Sequence, residues 1–102
     1  MDDEPRIIRH ILVRGSVQGV GFRAFVEHHA RQRDLAGWVR NRRDGSVEAV
    51  FAGPAKSVEG MIAACGYGPL SARVDQVDQR EGIEADLKVG ASAGEFSLLP
   101  TA

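Results

Sequence analysis

The stretch GSVQGVGFR, from Gly15 to Arg23, joins two segments with different hydrophobic periods, and this change of period limits the possible folds more than any other feature. Residues 7–14 alternate between two faces, as a β-strand does. After the glycines, apolar side chains recur at helical spacing at Phe22, Phe25, Val26, His29 and Ala30. The pattern predicts a strand that ends at Gly15, a glycine loop, and a helix that ends near Arg33 or Asp34.

The middle of the chain predicts a hairpin followed by a second helix. Asp44-Gly45 is a strong hairpin signal, and it separates a predicted strand at Ala36–Asn41 from the alternating segment SVEAVFAG. The second helical stripe consists of Val58, Met61, Ile62 and Cys65. Gly66 follows it directly and is a candidate for the residue that ends this helix.

The remaining segment predicts a strand with an irregularity and a short final strand. In ARVDQVDQRE the alternation breaks between Val74 and Val77, as it would at a β-bulge. Residues 82–94 have no clear pattern, and EFSLLP predicts an edge strand that ends at Pro100. The order predicts an α+β fold: one ferredoxin-like βαββαβ domain over 1–102, with an antiparallel sheet, both helices on one face, and a possible extra C-terminal edge strand.

Composition restricts the partners of this domain. The 102 residues carry a formal net charge of −1, which disfavours a general nucleic-acid or membrane binder. The one cysteine and the acidic start MDDEPR, without an apolar signal segment, favour a reducing cytoplasmic location. No apolar run is long enough to span a membrane. We expect a monomer with no nucleic-acid partner.

The glycine loop is a candidate anion site. Backbone N–H groups of such a loop and of the following helix N-terminus can converge on a phosphate, and the guanidinium of Arg23 can bind two of its oxygens. The loop lacks the Gly-Lys-Ser/Thr of the P-loop and the spacing of the dinucleotide motif. The alternative interpretation is a tight turn that binds nothing.

Two motifs resemble those of the acylphosphatase family. The first, V-x-G-x-V-Q-G-V-x-F-R, is matched at Val13, Gly15, Val17, Gln18, Gly19, Val20, Phe22 and Arg23. The second, G-W-V-x-N-x-x-D-G-x-V with a later glycine, is matched at Gly37, Trp38, Val39, Asn41, Asp44, Gly45, Val47 and Gly53. The resemblance implies a ferredoxin-like fold and hydrolysis of the carboxyl-phosphate bond of acyl phosphates, without metal or cofactor.

The resemblance also implies residue roles. Arg23 would bind the phosphoryl group together with backbone amides of the cradle formed by Ser16, Val17, Gln18, Gly19 and Val20. Asn41 would orient the attacking water. Gln18 could instead tie the loop together, which is the interpretation we favour.

The residue types suit one leaving group. The two motifs contain no evident nucleophile, carboxylate pair or metal-ligand cluster. Phosphoryl transfer can proceed largely by positioning and charge stabilisation, but an alkoxide leaving group would need a proton or a metal. A carboxylate needs neither, so a small acyl phosphate fits better than a phosphate ester.

Other residues have simpler interpretations. His28 and His29 point about 100° apart on a helix and make a poor catalytic pair. The basic run of Arg40, Arg42 and Arg43 is either a solvated hairpin end or a means of attracting anions. Trp38 and Cys65 are predicted to pack in the interior.

Two other functions stay open. One is the related module that begins the large carbamoyltransferases of hydrogenase maturation. The other is a ferredoxin-like module that binds RNA or a small anion without catalysis.

Overall fold

The structure is a computed structural model that describes residues 5–90 and 94–102. Most of the acidic start, 1–4, and part of the small-residue stretch GASAGE, 91–93, lie outside the described residues. The elements are β1 (Arg6–Ser16), α1 (Phe22–Gln32), β2 (Ala36–Asn41), β3 (Val47–Pro54), α2 (Ala55–Tyr67), β4 (Arg73–Glu81), α3 (Glu84–Lys88) and β5 (Phe96–Leu98). Their order confirms the predicted α+β class and the βαββαβ arrangement.

The five strands form a single sheet in the order β4-β1-β3-β2-β5. The pairs β1–β3, β1–β4 and β2–β3 are antiparallel. The predicted extra edge strand is present as β5, but it runs parallel to β2 and makes the sheet mixed. The chain reaches that edge by crossing from β4 at the opposite edge, with α3 between the two strands.

The main core lies between the sheet and α1 and α2. Alternation along β3 turns Val47, Ala49 and Phe51 toward this core, as predicted, and all three are buried. The predicted stripe of α1 supplies Phe22, Val26 and Ala30, and α2 supplies Val58, Met61 and Cys65. This packing fixes the starting end of α1 next to the end of β2.

The predicted bulge is present at the end of β1. Arg14 pairs with Gln76 while Gly15 pairs with Val74, so Asp75 is an extra residue on β4. At Gly15 φ is +135°, and a Cβ there would lie 2.2 Å from the backbone oxygen of Arg73. Only glycine fits this close approach. The bulge therefore directs the chain from β1 into the glycine loop.

Two further details differ from the sequence prediction. The helix α2 does not end before Gly66 but continues to Tyr67, and Gly68, with φ +67°, follows it. The unassigned segment contains α3, whose Asp86 accepts a 2.7 Å hydrogen bond through its backbone oxygen from Trp38 Nε1. A helix this short shows no apolar stripe in the sequence. Its position depends instead on the contact with Trp38. Among the described residues, no helix has the length and apolarity needed to cross a bilayer.

Candidate active site

A cavity of about 230 Å³ opens where the glycine loop, the start of α1 and the end of β2 meet. Its lining residues are Val17, Gly19, Gly21, Phe22, Arg23, Ala24, Asn41 and Leu98. The two motifs lie far apart in the sequence, and the fold brings them to this one cavity. Both predicted catalytic residues, Arg23 and Asn41, are among its lining residues.

The glycines of the loop are needed for backbone conformation. Gly19 and Gly21 have φ of +74° and +81°, in the left-handed region that other residues rarely adopt. A Cβ at either position would meet nothing within 4 Å, so close packing is not the reason for glycine there. Gly21 is also the N-cap of α1. The loop therefore leads into α1 through two glycines, which have no side chains to cover the backbone.

Arg23 lies in the first turn of α1 and is half-buried. That turn contains no acidic residue. Within the described ranges, no carboxylate pairs with Arg23 and no hydrogen bond engages its side chain. The positive end of the helix and the guanidinium therefore face the cavity without a neutralising group, which favours an anionic ligand.

Asn41 is the last residue of β2 and has an unusual side-chain environment. Its Oδ1 is buried and has no hydrogen-bond partner among the described residues. Its backbone oxygen, in contrast, accepts a 3.0 Å hydrogen bond from the backbone N–H of Ala102. A buried amide oxygen without a partner costs about 1–3 kcal/mol, so a polar atom held at this position is the expected reason for it.

Gln18 joins the glycine loop to the β2–β3 hairpin. Its Nε2 donates to the backbone oxygen of Arg42 at 2.7 Å and to that of Ser46 at 2.8 Å. The hairpin is closed separately by Asp44, whose Oδ1 accepts from the backbone N–H and the hydroxyl of Ser46. These contacts agree with loop support as the role of Gln18.

The remaining predicted cradle residues occupy different places. Val17 is buried and lines the cavity. Ser16 ends β1, where it pairs with Arg73 on β4, and Val20 packs against the core. Ser16, Gln18 and Val20 are not among the residues that line the cavity. The roles given to the five cradle residues stay predictions.

The sequence did not point to all the lining residues. Gly21 and Ala24, which are not matched motif positions, come from the helix start and its cap. Leu98, on β5, reaches the cavity because that strand pairs with β2. The position of Leu98 could be found only by knowing this pairing, since its segment has no motif of its own.

Two of the three hairpin arginines are engaged away from the cavity. Arg40 and Arg42 donate to the carboxylate of Glu48 at 2.7 and 3.2 Å. Burial alone would raise the pKa of Glu48, but hydrogen bonds from His10 and Arg40 outweigh it and leave the pKa below its ordinary value. Arg43 is exposed. Glu48 thus pairs with Arg40 and Arg42, whereas no carboxylate among the described residues pairs with Arg43.

The other candidate residues have structural surroundings. His29 packs on the ring of Phe25, with centroids 4.3 Å apart, and burial together with the charges of His28 and Arg33 lowers its pKa. Neither His28 nor His29 lines the cavity. Burial raises the pKa of the Cys65 thiol to about 12, which fits the predicted core position.

A larger cavity of about 480 Å³ lies at the other end of β2 and β3. Arg6 and Glu84, which form a 2.8 Å ion pair, are part of its wall. None of the predicted site residues lines it. The smaller cavity is the better candidate because its lining combines a cation without a partner among the described residues with Asn41, whose buried amide oxygen also lacks one.

Comparison with known sequences identifies the family of this chain. The sequence model of the acylphosphatase family matches residues 9–89. The chain belongs to the acylphosphatase family. A curated acylphosphatase of Rhodopseudomonas palustris strain BisB18 is 56% identical over 95 residues, which are 93% of this chain and 96% of the relative. The chain is therefore an enzyme of the acylphosphatase class.

Solved structures agree with the family assignment. The crystal structure of an acylphosphatase from Bacillus subtilis has a TM-score of 0.79 and 36% identity, covering 91% of this chain and 98% of that one. Full-length HypF, solved in a phosphate- and nucleotide-bound form, has a TM-score of 0.82 and 26% identity. That match covers 98% of this chain but 13% of HypF. The acylphosphatase fold is thus also found as a small part of a larger protein.

Proposed function

We propose that this chain hydrolyses acyl phosphates to a carboxylate and inorganic phosphate at the 230 Å³ cavity. One observation carries the proposal: Arg23, which has no carboxylate partner among the described residues, and Asn41, whose buried Oδ1 has no hydrogen-bond partner there, are lining residues of the same cavity. The first fits the charge of a phosphoryl group. The second fits a water molecule held next to it.

Arg23 and the glycine loop form the phosphate-binding part of the proposed site. The planar guanidinium binds two phosphoryl oxygens, and backbone N–H groups of the cradle from Ser16 to Val20 bind others. As charge shifts onto the leaving oxygen, these donors stay in place and need no reorganisation. Arg23 therefore acts in both substrate binding and transition-state stabilisation.

Asn41 positions the nucleophilic water in this proposal. An amide cannot remove a proton as a strong base, but its Oδ1 can accept a hydrogen bond from water and fix the direction of attack. The water oxygen forms a bond to phosphorus, and a water proton passes to a phosphate oxygen of the substrate. The bond from phosphorus to the carboxyl oxygen breaks, and the electron pair leaves with the carboxylate.

The choice of acyl phosphate depends on this leaving group. Carboxylate is a stable anion and departs without a proton, whereas the alkoxide of a phosphate ester does not. Neither a guanidinium nor an amide serves as a general acid that could supply that proton. The proposed reaction thus needs no metal and no cofactor.

The test compares two substrates that differ in their leaving group. Benzoyl phosphate and phenyl phosphate are supplied separately to the folded protein in EDTA, and released phosphate is measured. The proposal predicts turnover of benzoyl phosphate and little of phenyl phosphate. No turnover of benzoyl phosphate, or equal turnover of both, would contradict it.

The two other functions give different results in the same assay. A binding module without catalysis would bind phosphate but release none from benzoyl phosphate above the rate in buffer alone. The carbamoyltransferase module is disfavoured because the chain is 56% identical to the R. palustris acylphosphatase, which it covers almost completely, whereas it is 26% identical to HypF and covers 13% of that chain. A monomeric state, a cytoplasmic location and the absence of a nucleic-acid partner remain proposals from composition.

A further inference from the structure

We propose that Glu48 is a positioning residue for Asn41. Its carboxylate holds the two arginines that flank Asn41, on the face of the sheet opposite the cavity, and so fixes the strand end that presents the amide. This inference rests on the proposed role of Asn41 and adds a residue that neither motif contains.

We call Glu48 and its three partners, His10, Arg40 and Arg42, the clamp, because one carboxylate contacts all three side chains. Glu48 lies directly across from Arg40 in the β2–β3 pairing. Its Oε1 accepts from Arg40 Nε at 2.7 Å and from Arg42 Nη1 at 3.2 Å. Its Oε2 lies 2.7 Å from His10 Nε2, on β1. One carboxylate thus links three neighbouring strands of the sheet, β1, β3 and β2.

Strand alternation connects this clamp to the site. Along β2 the side chains of Arg40 and Asn41 point to opposite faces, and Arg42 continues the alternation. Fixing the residues on either side of Asn41 limits rotation of the backbone that carries its amide. Arg42 is held a second time, because Gln18 donates to its backbone oxygen at 2.7 Å.

Contacts of Arg40 with Trp38, and of Trp38 with α3, also support the clamp. The guanidinium of Arg40 stacks over the ring of Trp38, with 4.7 Å from Cζ to the ring centroid. Trp38 Nε1 in turn donates to the backbone oxygen of Asp86 in α3 at 2.7 Å. Arg40 is thereby held between an aromatic face and a carboxylate, which leaves it few alternative rotamers.

A gain in stability alone does not explain why charged side chains occupy the clamp. Glu48 is 8% exposed, and well-packed apolar residues commonly replace a buried ion pair without loss of stability. What charged groups with directional hydrogen bonds add is a defined geometry. The clamp lies one residue from Asn41, where a defined geometry is needed to aim a water molecule.

The test is a double-mutant cycle between Glu48→Gln and Asn41→Ala, with benzoyl phosphate as substrate. Glu48→Gln keeps the shape but removes the charge that holds both arginines. We expect kcat to fall about tenfold, with KM unchanged within about twofold, as for a lost positioning contact. In the Asn41→Ala background the same change should have almost no effect on kcat. Losses that multiply in the double variant would overturn the proposal.

Two control variants separate positioning from general effects. Val58→Ala removes a fully buried side chain of α2 and lowers stability without touching the clamp. Asp78→Asn removes the charge of another carboxylate, paired with Arg14 on β1. Both should keep kcat within about twofold of wild type, because neither contacts β2 near the site. An equal loss of kcat in Val58→Ala would mean that Glu48 acts through stability alone.

A spectroscopic readout keeps the proposal testable if the protein has no activity. The side-chain amide signals of Asn41 in an ¹⁵N–¹H spectrum are identified by their loss in Asn41→Ala. They should shift in Glu48→Gln and in Arg40→Ala, and stay in place in Asp78→Asn. Absence of turnover by wild type would refute the proposed function, whereas unmoved Asn41 signals in both clamp variants would refute the clamp.

Discussion

The side-chain nitrogen of Gln18 lies 2.7 Å from the backbone oxygen of Arg42, and this hydrogen bond joins the glycine loop to the strand end that carries Asn41. The same nitrogen donates to Ser46 at 2.8 Å. Phosphate binding and water positioning are assigned to separate segments of the chain. Gln18 is the side chain that holds these two segments in a fixed relation.

Replacement of Gln18 tests that link. Gln18→Ala removes two hydrogen bonds to backbone oxygens, and we expect a loss of about 1–3 kcal/mol in the free energy of unfolding. Gln18→Glu should cost more, because it places a carboxylate oxygen against the oxygens of Arg42 and Ser46. Urea unfolding of the three proteins measures both effects. Equal stability of the alanine and glutamate variants would contradict the donor role.

Arg23→Gln should impair both binding and turnover. The variant removes the uncompensated cation of the cavity, so KM and the inhibition constant of inorganic phosphate should rise while kcat falls. Arg43→Gln is the matched control, because Arg43 is exposed and its charge is screened by water. Steady-state kinetics of the two variants at one ionic strength is the measurement. A defect in Arg43→Gln as large as that in Arg23→Gln would contradict the assignment.

The lowered pKa of Glu48 predicts a pH-dependent contribution to stability. A carboxyl whose folded-state pKa is lowered stabilises the fold above its ordinary value of 4.5, and this contribution is lost as pH falls through the folded-state pKa. His10, Arg40 and Arg42 are the charged or titratable groups that face it. The free energy of unfolding should therefore fall less steeply in Glu48→Gln than in wild type between about pH 5 and about pH 2. Parallel curves would show that Glu48 contributes nothing.

The bulge at the end of β1 predicts a steric requirement for glycine. Gly15→Ala would place a Cβ 2.2 Å from the Arg73 oxygen, so the sheet edge must move. Gly45→Ala is the control, since φ there is also positive, at +95°, but a Cβ would meet nothing within 4 Å. Thermal unfolding should show a clearly larger loss for Gly15→Ala. Equal losses would mean that backbone conformation, and not the contact, requires glycine at both positions.

Hydrophobic period and turn residues were enough to predict most of the fold. The switch of period at Gly15, the Asp44-Gly45 hairpin and the broken alternation after Val74 each correspond to a feature of the structure. The sequence did not reveal α3, because its position depends on a contact with Trp38 from another strand. The end of α2 was placed too early, because Gly66 is tolerated inside the helix and Gly68 takes the positive φ.

The site was predictable only in part. The motifs pointed to Arg23 and Asn41, and both line one cavity. They could not reveal Leu98, which depends on the pairing of β5 with β2, or the unpartnered oxygen of Asn41, which depends on burial. The clamp at Glu48 depends on the register between two strands, and no local pattern contains that information.

The most direct test of the account is the kinetics of benzoyl phosphate hydrolysis by wild type and Asn41→Ala in EDTA, with phosphate binding measured on both. We predict metal-independent turnover by wild type and a fall in kcat of about 100-fold in the variant, because an oriented nucleophile is lost. Phosphate affinity should be unchanged, since Arg23 and the loop remain. Wild-type kcat in a folded Asn41→Ala protein would contradict the central claim that this amide positions the attacking water.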